Sequence, residues 1–123
     1  MSKFDFVILY VEDPAASATF YSDIFGKPVA DSMPGFAMLP LLDGLMLGLW
    51  QRDDVKPAAT VAGGGSEIAV SVADNATLKT LAVEWKAKGI KILQDPTDMG
   101  FGRNFTAADP DGHRIRVSVP ATR

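Results

Sequence analysis

Alternation opens the chain. Within residues 4–11, Val7, Leu9 and Val11 are aliphatic, while Phe6, Ile8 and Tyr10 occupy the intervening positions. A period of two predicts a β-strand with one aliphatic face and one of mixed chemistry. The period then changes. Asp13 is a good N-cap and Pro14 suits the first helical position, where its missing N–H costs nothing. The predicted helix runs to about Phe25, with Ala16, Phe20 and Ile24 as its expected apolar face and Gly26 just past its end. Strands are expected over 28–31, 35–39 and 45–51, with a hairpin turn at Leu42-Asp43-Gly44.

This order of elements occurs twice. Phe6-Val7-Ile8-Leu9-Tyr10-Val11-Glu12-Asp13 is echoed by Glu67-Ile68-Ala69-Val70-Ser71-Val72-Ala73-Asp74, offset by 61 positions. Asp43-Gly44-Leu45-Met46-Leu47-Gly48-Leu49-Trp50 is echoed by Asp111-Gly112-His113-Arg114-Ile115-Arg116-Val117-Ser118, offset by 68. The second copy predicts a strand over 67–72, a helix capped by Asp74 and running through Lys88, and strands near 90–93, 103–107 and 113–119. The helix is apolar at Leu78, Leu81 and Trp85, and Gly89 closes it. Two copies indicate duplication of one unit, since a solenoid needs at least three. The expectation is one domain over 1–123, with a first module at about 4–51, a flexible connector at 52–66 and a second module at about 67–119. Pro57 and Gly63-Gly64-Gly65 mark the connector.

Strand parity separates two faces. Val7, Leu9, Val11, Leu47 and Leu49 in the first copy, and Ile68, Val70, Val72, Ile115, Val117 and Val119 in the second, share the face expected under the helices. The other face carries Phe6, Ile8, Tyr10, Met46, Gly48 and Trp50, and in the second copy Glu67, Ala69, Ser71, Arg114, Arg116 and Ser118. Mixed aromatic, small and charged residues suit a concave, ligand-sized cleft better than a core or a solvated surface.

Composition trims the field of functions. The chain has 123 residues, 47% of them hydrophobic, and a formal net charge of −3. That acidic balance argues against nucleic acid or an anionic membrane as partner. The absence of cysteine removes thiolate chemistry and Cys-based zinc sites and is compatible with a cytoplasmic location. The apolar opening segment is too short to span a bilayer and runs into Glu12 and Asp13, so it is expected to be a strand rather than a signal peptide. The single histidine leaves no Ser–His–Asp arrangement. Gly63-Gly64-Gly65 lacks the lysine of a phosphate loop.

The duplicated βαβββ unit, the VEDPAASATFYSDIFG segment (11–26) and the FGRNFTAADPDGHRIRV segment (101–117) together resemble the vicinal oxygen chelate superfamily. That superfamily includes glyoxalase I, extradiol dioxygenases and bleomycin-resistance proteins. The resemblance implies an α+β fold of two tandem βαβββ modules, a curled mixed sheet around a concave cleft, and often a homodimer. It also implies four cleft positions that hold a divalent metal in the metal enzymes; by motif match these are Phe6, Gly48, Glu67 and Arg116. Phenylalanine and glycine supply no side-chain ligand, and arginine is a permanent cation. One carboxylate cannot assemble a catalytic site with three protein ligands. The resemblance thus narrows to the metal-free, drug-sequestering branch, with no cofactor expected.

The candidate ligand residues follow from that reading. Trp50 beside Gly48 would form a flat wall with room above it for a planar aromatic molecule; alternatively Trp50 plugs the cleft or packs in a dimer interface. Phe36 and Met38 share a face and are expected to line the cavity, with Phe6 on the same face and Phe101 in loop 98–103 as a lid; the alternative for Phe36, Met38 and Phe101 is ordinary core packing. Glu67 and Arg116 are expected to form an ion pair, against the alternative that each is solvated at an open rim. The leading expectation is a binding protein that sequesters a planar aromatic, antibiotic-like compound. Its rivals are a lyase, isomerase or dioxygenase with a divalent metal or with Glu67 as base, and a scaffold with no ligand.

Overall fold

The computed structural model describes residues 2–120; Met1 and residues 121–123, the ends of the expected 1–123 domain, lie outside the described residues. The chain divides into two compact units, residues 1–62 and 63–123. Each holds one helix and one four-stranded mixed sheet, so the α+β class and the two βαβββ modules are as expected. The strands form two separate sheets rather than one continuous sheet.

In the first unit β1 (Phe6–Val11) leads to α1 (Pro14–Phe25), followed by β2 (Asp31–Met33), β3 (Phe36–Leu42) and β4 (Leu45–Gln51). Sheet order is β1-β4-β3-β2, with β1 and β4 parallel and the rest antiparallel. Asp13 caps α1 through the backbone N–H of Ala16, and Gly26 ends it at φ 63°, a left-handed conformation that glycine adopts without steric cost. The buried stripe of α1 is Pro14, Ser17, Ala18 and Tyr21, not the predicted Ala16, Phe20 and Ile24. Small residues at positions 17 and 18 let the helix sit close on the sheet, and Tyr21, fully buried, meets Phe20 edge-on and Phe25 at a tilt. Spacing alone favoured the bulkier residues of the neighbouring stripe. The predicted strand at 28–31 also shifts: only Asp31 of it belongs to β2, and Pro28 cannot donate to a ladder.

The second unit repeats this with β5 (Glu67–Ser71), α2 (Asn75–Ala87), β6 (Lys91–Met99), β7 (Gly102–Ala108) and β8 (Arg114–Pro120), in order β5-β8-β7-β6. Asp74 caps α2 through the Thr77 N–H at 2.8 Å. Leu78, Ala82 and Trp85 form its buried face, with Leu81 only half-buried, and Trp85 meets Phe105 edge-on at 5.3 Å. Parity is as predicted. Leu9, Val11, Leu47 and Leu49, and Ile115, Val117 and Phe105, are buried in the two cores.

The connector carries local structure of its own. It opens with a turn of 3-10 helix at Arg52–Asp54, buries Val55, and is tied back by Arg52 donating to the Val61 carbonyl. Gly63 lies so close to the 109–113 turn that a Cβ there would meet His113 Nδ1 at 2.8 Å.

Candidate ligand-binding site

The face of the first sheet that points away from α1 is aromatic. Parallel pairing sets Phe6 beside Met46, Ile8 beside Gly48 and Tyr10 beside Trp50, while β3 adds Phe36 beside Trp50 and Met38 beside Gly48. Tyr10 and Trp50 meet edge-on, ring centroids 6.2 Å apart, as aromatic quadrupoles prefer. Phe6, Ile8, Tyr10 and Met33 remain exposed, while Phe36, Met38 and Trp50 are half-buried. One expectation fails here. The space above Gly48 is not open, because a Cβ at that position would lie 2.9 Å from Phe36 Cζ and 3.3 Å from Ile8 Cγ1. The glycine admits the Phe36 ring, so the wall is built of Phe36 and Trp50 side by side.

The equivalent face of the second sheet is polar. Glu67 is level with Arg114 in the ladder but pairs diagonally with Arg116. Arg116 Nε donates to Glu67 Oε2 at 2.7 Å and Nη2 donates to Oε1 at 2.6 Å, the planar two-pronged geometry available to arginine and not to lysine. The expected ion pair is therefore formed. Arg116 Nη1 donates to the Asn104 Oδ1, and the Asn104 amide donates to the Gly102 carbonyl. Asn104 is fully buried and went unnoticed in the sequence, where an asparagine on a strand carries no mark of its partner. Three of the five N–H groups of Arg116 are engaged, which leaves two for a ligand. The hydrogen bonds from Arg116 hold the Glu67 carboxyl below its ordinary value; partial burial opposes this, and the charges of Arg116 and Arg114 add to it. The same contact raises Arg116. Thr106, opposite Arg116 on β7, is buried with its hydroxyl unpaired.

The loop expected at 98–103 is mostly strand, since β6 runs to Met99 and β7 starts at Gly102. Asp98 and Arg103 pair across the β6–β7 hairpin, and Phe101 projects from its tight turn, 55% exposed. His113 precedes β8, and its backbone N–H donates to the buried Asp109.

The family model described as the Glyoxalase/Bleomycin resistance protein/Dioxygenase superfamily matches residues 3–117. The chain belongs to this superfamily. It is 30% identical over 113 residues to the phenazine antibiotic resistance protein EhpR of Enterobacter agglomerans, covering 89% of this chain and 86% of that one. A protein of Agrobacterium tumefaciens with a solution NMR structure is 46% identical, with a TM-score of 0.88 over 99% of this chain and all of the other. A glyoxalase-related enzyme from Fulvimarina pelagi, 22% identical, superposes with a TM-score of 0.83 over 97% of this chain and 88% of its own, and shares the fold.

Of the four positions that the superfamily resemblance relates to a metal, only Glu67 carries a carboxylate. Phe6 and Gly48 offer no donor atom, and both oxygens of Glu67 are engaged by Arg116. Among the described residues, no three of His, Cys, Asp and Glu are grouped so as to hold a metal ion. No helix among them is long and apolar enough to cross a membrane.

Proposed function

We propose that this superfamily member binds a planar aromatic, antibiotic-like small molecule without a metal and acts by stoichiometric sequestration. The observation that carries the reading is the open aromatic face of the first unit, where Trp50, Phe36 and Phe6 stand with the adaptable thioether of Met38. Stacking on such a face is worth about 0.5–1.5 kcal/mol beyond area burial. Gly48 serves by seating the Phe36 ring. On the second unit, Arg116 has two N–H groups to offer a ligand carbonyl or carboxylate, with Glu67 orienting it, and Phe101 adds exposed apolar surface. Each role rests on the chemistry of its own face.

Glu67 also weighs against the rival enzymatic reading. A general base at neutral pH works best with a pKa near that pH. Glu67 is shifted the other way and tethered by two charge-assisted hydrogen bonds. The name of the Enterobacter relative, a phenazine antibiotic resistance protein, supports the same class of ligand. We place the chain in the cytoplasm, which is compatible with its lack of cysteine, and propose that it works as a homodimer.

Titration with phenazine and other planar heterocycles, followed by tryptophan fluorescence, tests this. Trp85 is buried in the second core, so the response should come from Trp50 and vanish in Trp50→Phe. A chain that responds to none of these compounds would not be a binder of this class. Elemental analysis after purification in divalent metals should find no stoichiometric metal; a tightly held ion would overturn the metal-free reading.

A further inference from the structure

The two faces of β7 carry different chemistry. Asn104 and Thr106 lie on the Arg116 side, while Arg103 and Phe105 lie on the side covered by α2. Beside α2 the sheet does not close against the helix. Strand β6 slips its register between Ile92 and Gln94 and again between Gln94 and Thr97, and Pro96 in that stretch has no N–H to give a ladder. The bent strand leaves a hollow of about 410 Å³ between itself and α2. This lies within the roughly 300–1,000 Å³ typical of small-molecule sites.

The lining has a consistent chemistry. Lys79, Ala82, Val83 and Lys86 fall on one face of α2 by i, i+3, i+4 and i+7 spacing. Ala82, Val83 and Pro96 supply aliphatic surface and no aromatic side chain lines the hollow, so its apolar part suits an aliphatic chain. Val83 is 61% exposed, an apolar side chain without cover. Around that surface stand three cations. Lys79 has no counter-ion among the described residues. Lys86 reaches Asp95 at only 3.7 Å, with both side chains largely in solvent, a contact that yields readily to a better anion. Arg103 is held at the lip by Asp98 and by the Pro96 carbonyl. Lys79, Lys86 and Arg103 outnumber Asp95 and Asp98, a local positive excess in a chain of net charge −3.

We propose that this hollow is a second binding site, for a small aliphatic carboxylate. The tail lies on Ala82, Val83 and Pro96, and the carboxylate sits between Lys79 and Lys86 with Arg103 beside it. The site is separate from the aromatic face and does not depend on what that face binds.

Titration of the isotope-labelled full chain with sodium octanoate, followed by amide NMR shifts, tests the proposal, with octanamide as the uncharged control. Saturable shifts are expected at Lys79, Val83, Lys86 and Arg103, and octanamide should bind about tenfold more weakly or not at all. The double variant Lys79→Gln, Lys86→Gln should weaken octanoate by about tenfold. It should leave the Trp50 fluorescence response to planar heterocycles unchanged. Both lysines are exposed, so the variant is expected to fold normally. Equal shifts from octanoate and octanamide would mean adsorption to apolar surface only and would overturn the proposal. So would shifts confined to β1, β3 and β4, or none that saturate.

Discussion

Three residues show how single atoms set the character of the two faces. Gly48 is required by a neighbour's ring and not by backbone conformation. A methyl group there would stand 2.9 Å from Phe36 Cζ, the tip of the ring, and the ring would have to tilt away. Gly48→Ala should cost about 1 kcal/mol as mild overpacking. It should change the affinity of a stacked ligand more than it changes stability, as read by urea unfolding and fluorescence titration on the same sample. Thr106 makes the opposite case. Its hydroxyl is buried and unpaired, so Thr106→Val, of nearly the same shape, should raise stability by about 1 kcal/mol. A loss of stability in urea unfolding would show that the hydroxyl has a partner after all. Glu67 gives a pH signature. Its folded pKa lies below the unfolded one, so the stabilisation is complete above the ordinary carboxylate range and is lost as pH falls through the lowered value. Urea unfolding at neutral pH and at about pH 3 should show a loss that shrinks in Glu67→Gln. An unchanged acid loss in that variant would remove Glu67 from the cause.

At the scale of elements, the two parallel ladders, β1–β4 and β5–β8, match in register and diverge in chemistry. The ladder pairs Phe6 with Met46 and Glu67 with Arg114, so the two diagonals Phe6–Gly48 and Glu67–Arg116 are equivalent. Phe36 and Asn104, both offset as the last strands are, each serve the neighbour on that diagonal, one by filling space above a glycine and one by accepting from an arginine. The repeat, the helix caps and the strand parity could be read from residues alone, because Asp13, Asp74 and Gly26 act locally and parity follows from the pleat. Other features could not. The buried stripe of α1 depends on which residues let the helix approach its sheet. The extension of β6 to Met99 depends on bulges that tolerate Pro96. The Phe36 ring over Gly48 depends on a rotamer, which the pleat does not specify. The core of the second unit offers a check on its cohesion. Trp85→Ala removes a fully buried ring that meets Phe105, and should cost about 3–5 kcal/mol. The loss should appear as faster amide exchange throughout α2, β7 and β8; a change confined to α2 would mean that helix and sheet unfold separately.

For the whole molecule, the decisive quantity is apolar surface left in water. Phe6, Ile8, Tyr10 and Met33 are exposed at 40%, 44%, 36% and 50% and share one face of the first sheet. Scattered apolar side chains on a surface need no explanation, whereas a contiguous group marks a surface that binds something. A ligand covers such a face only while it is bound, and the free chain must still remain in solution. A second copy that covers Ile8, Tyr10 and Met33 and leaves Trp50, Phe36 and Phe6 to the ligand meets that requirement, which is the physical case for the homodimer proposed above. Sedimentation of the ligand-free chain over a range of concentrations should therefore show a dimer. Ile8→Glu places a charge in the middle of the face, against Gly48, and should shift the equilibrium to monomer by desolvation of the carboxylate. Val83→Glu, on the exposed side of α2, should leave the dimer intact. If the free chain is monomeric at all concentrations, the apolar face is kept for the ligand alone. If both variants dissociate the dimer, the interface lies elsewhere than the aromatic face.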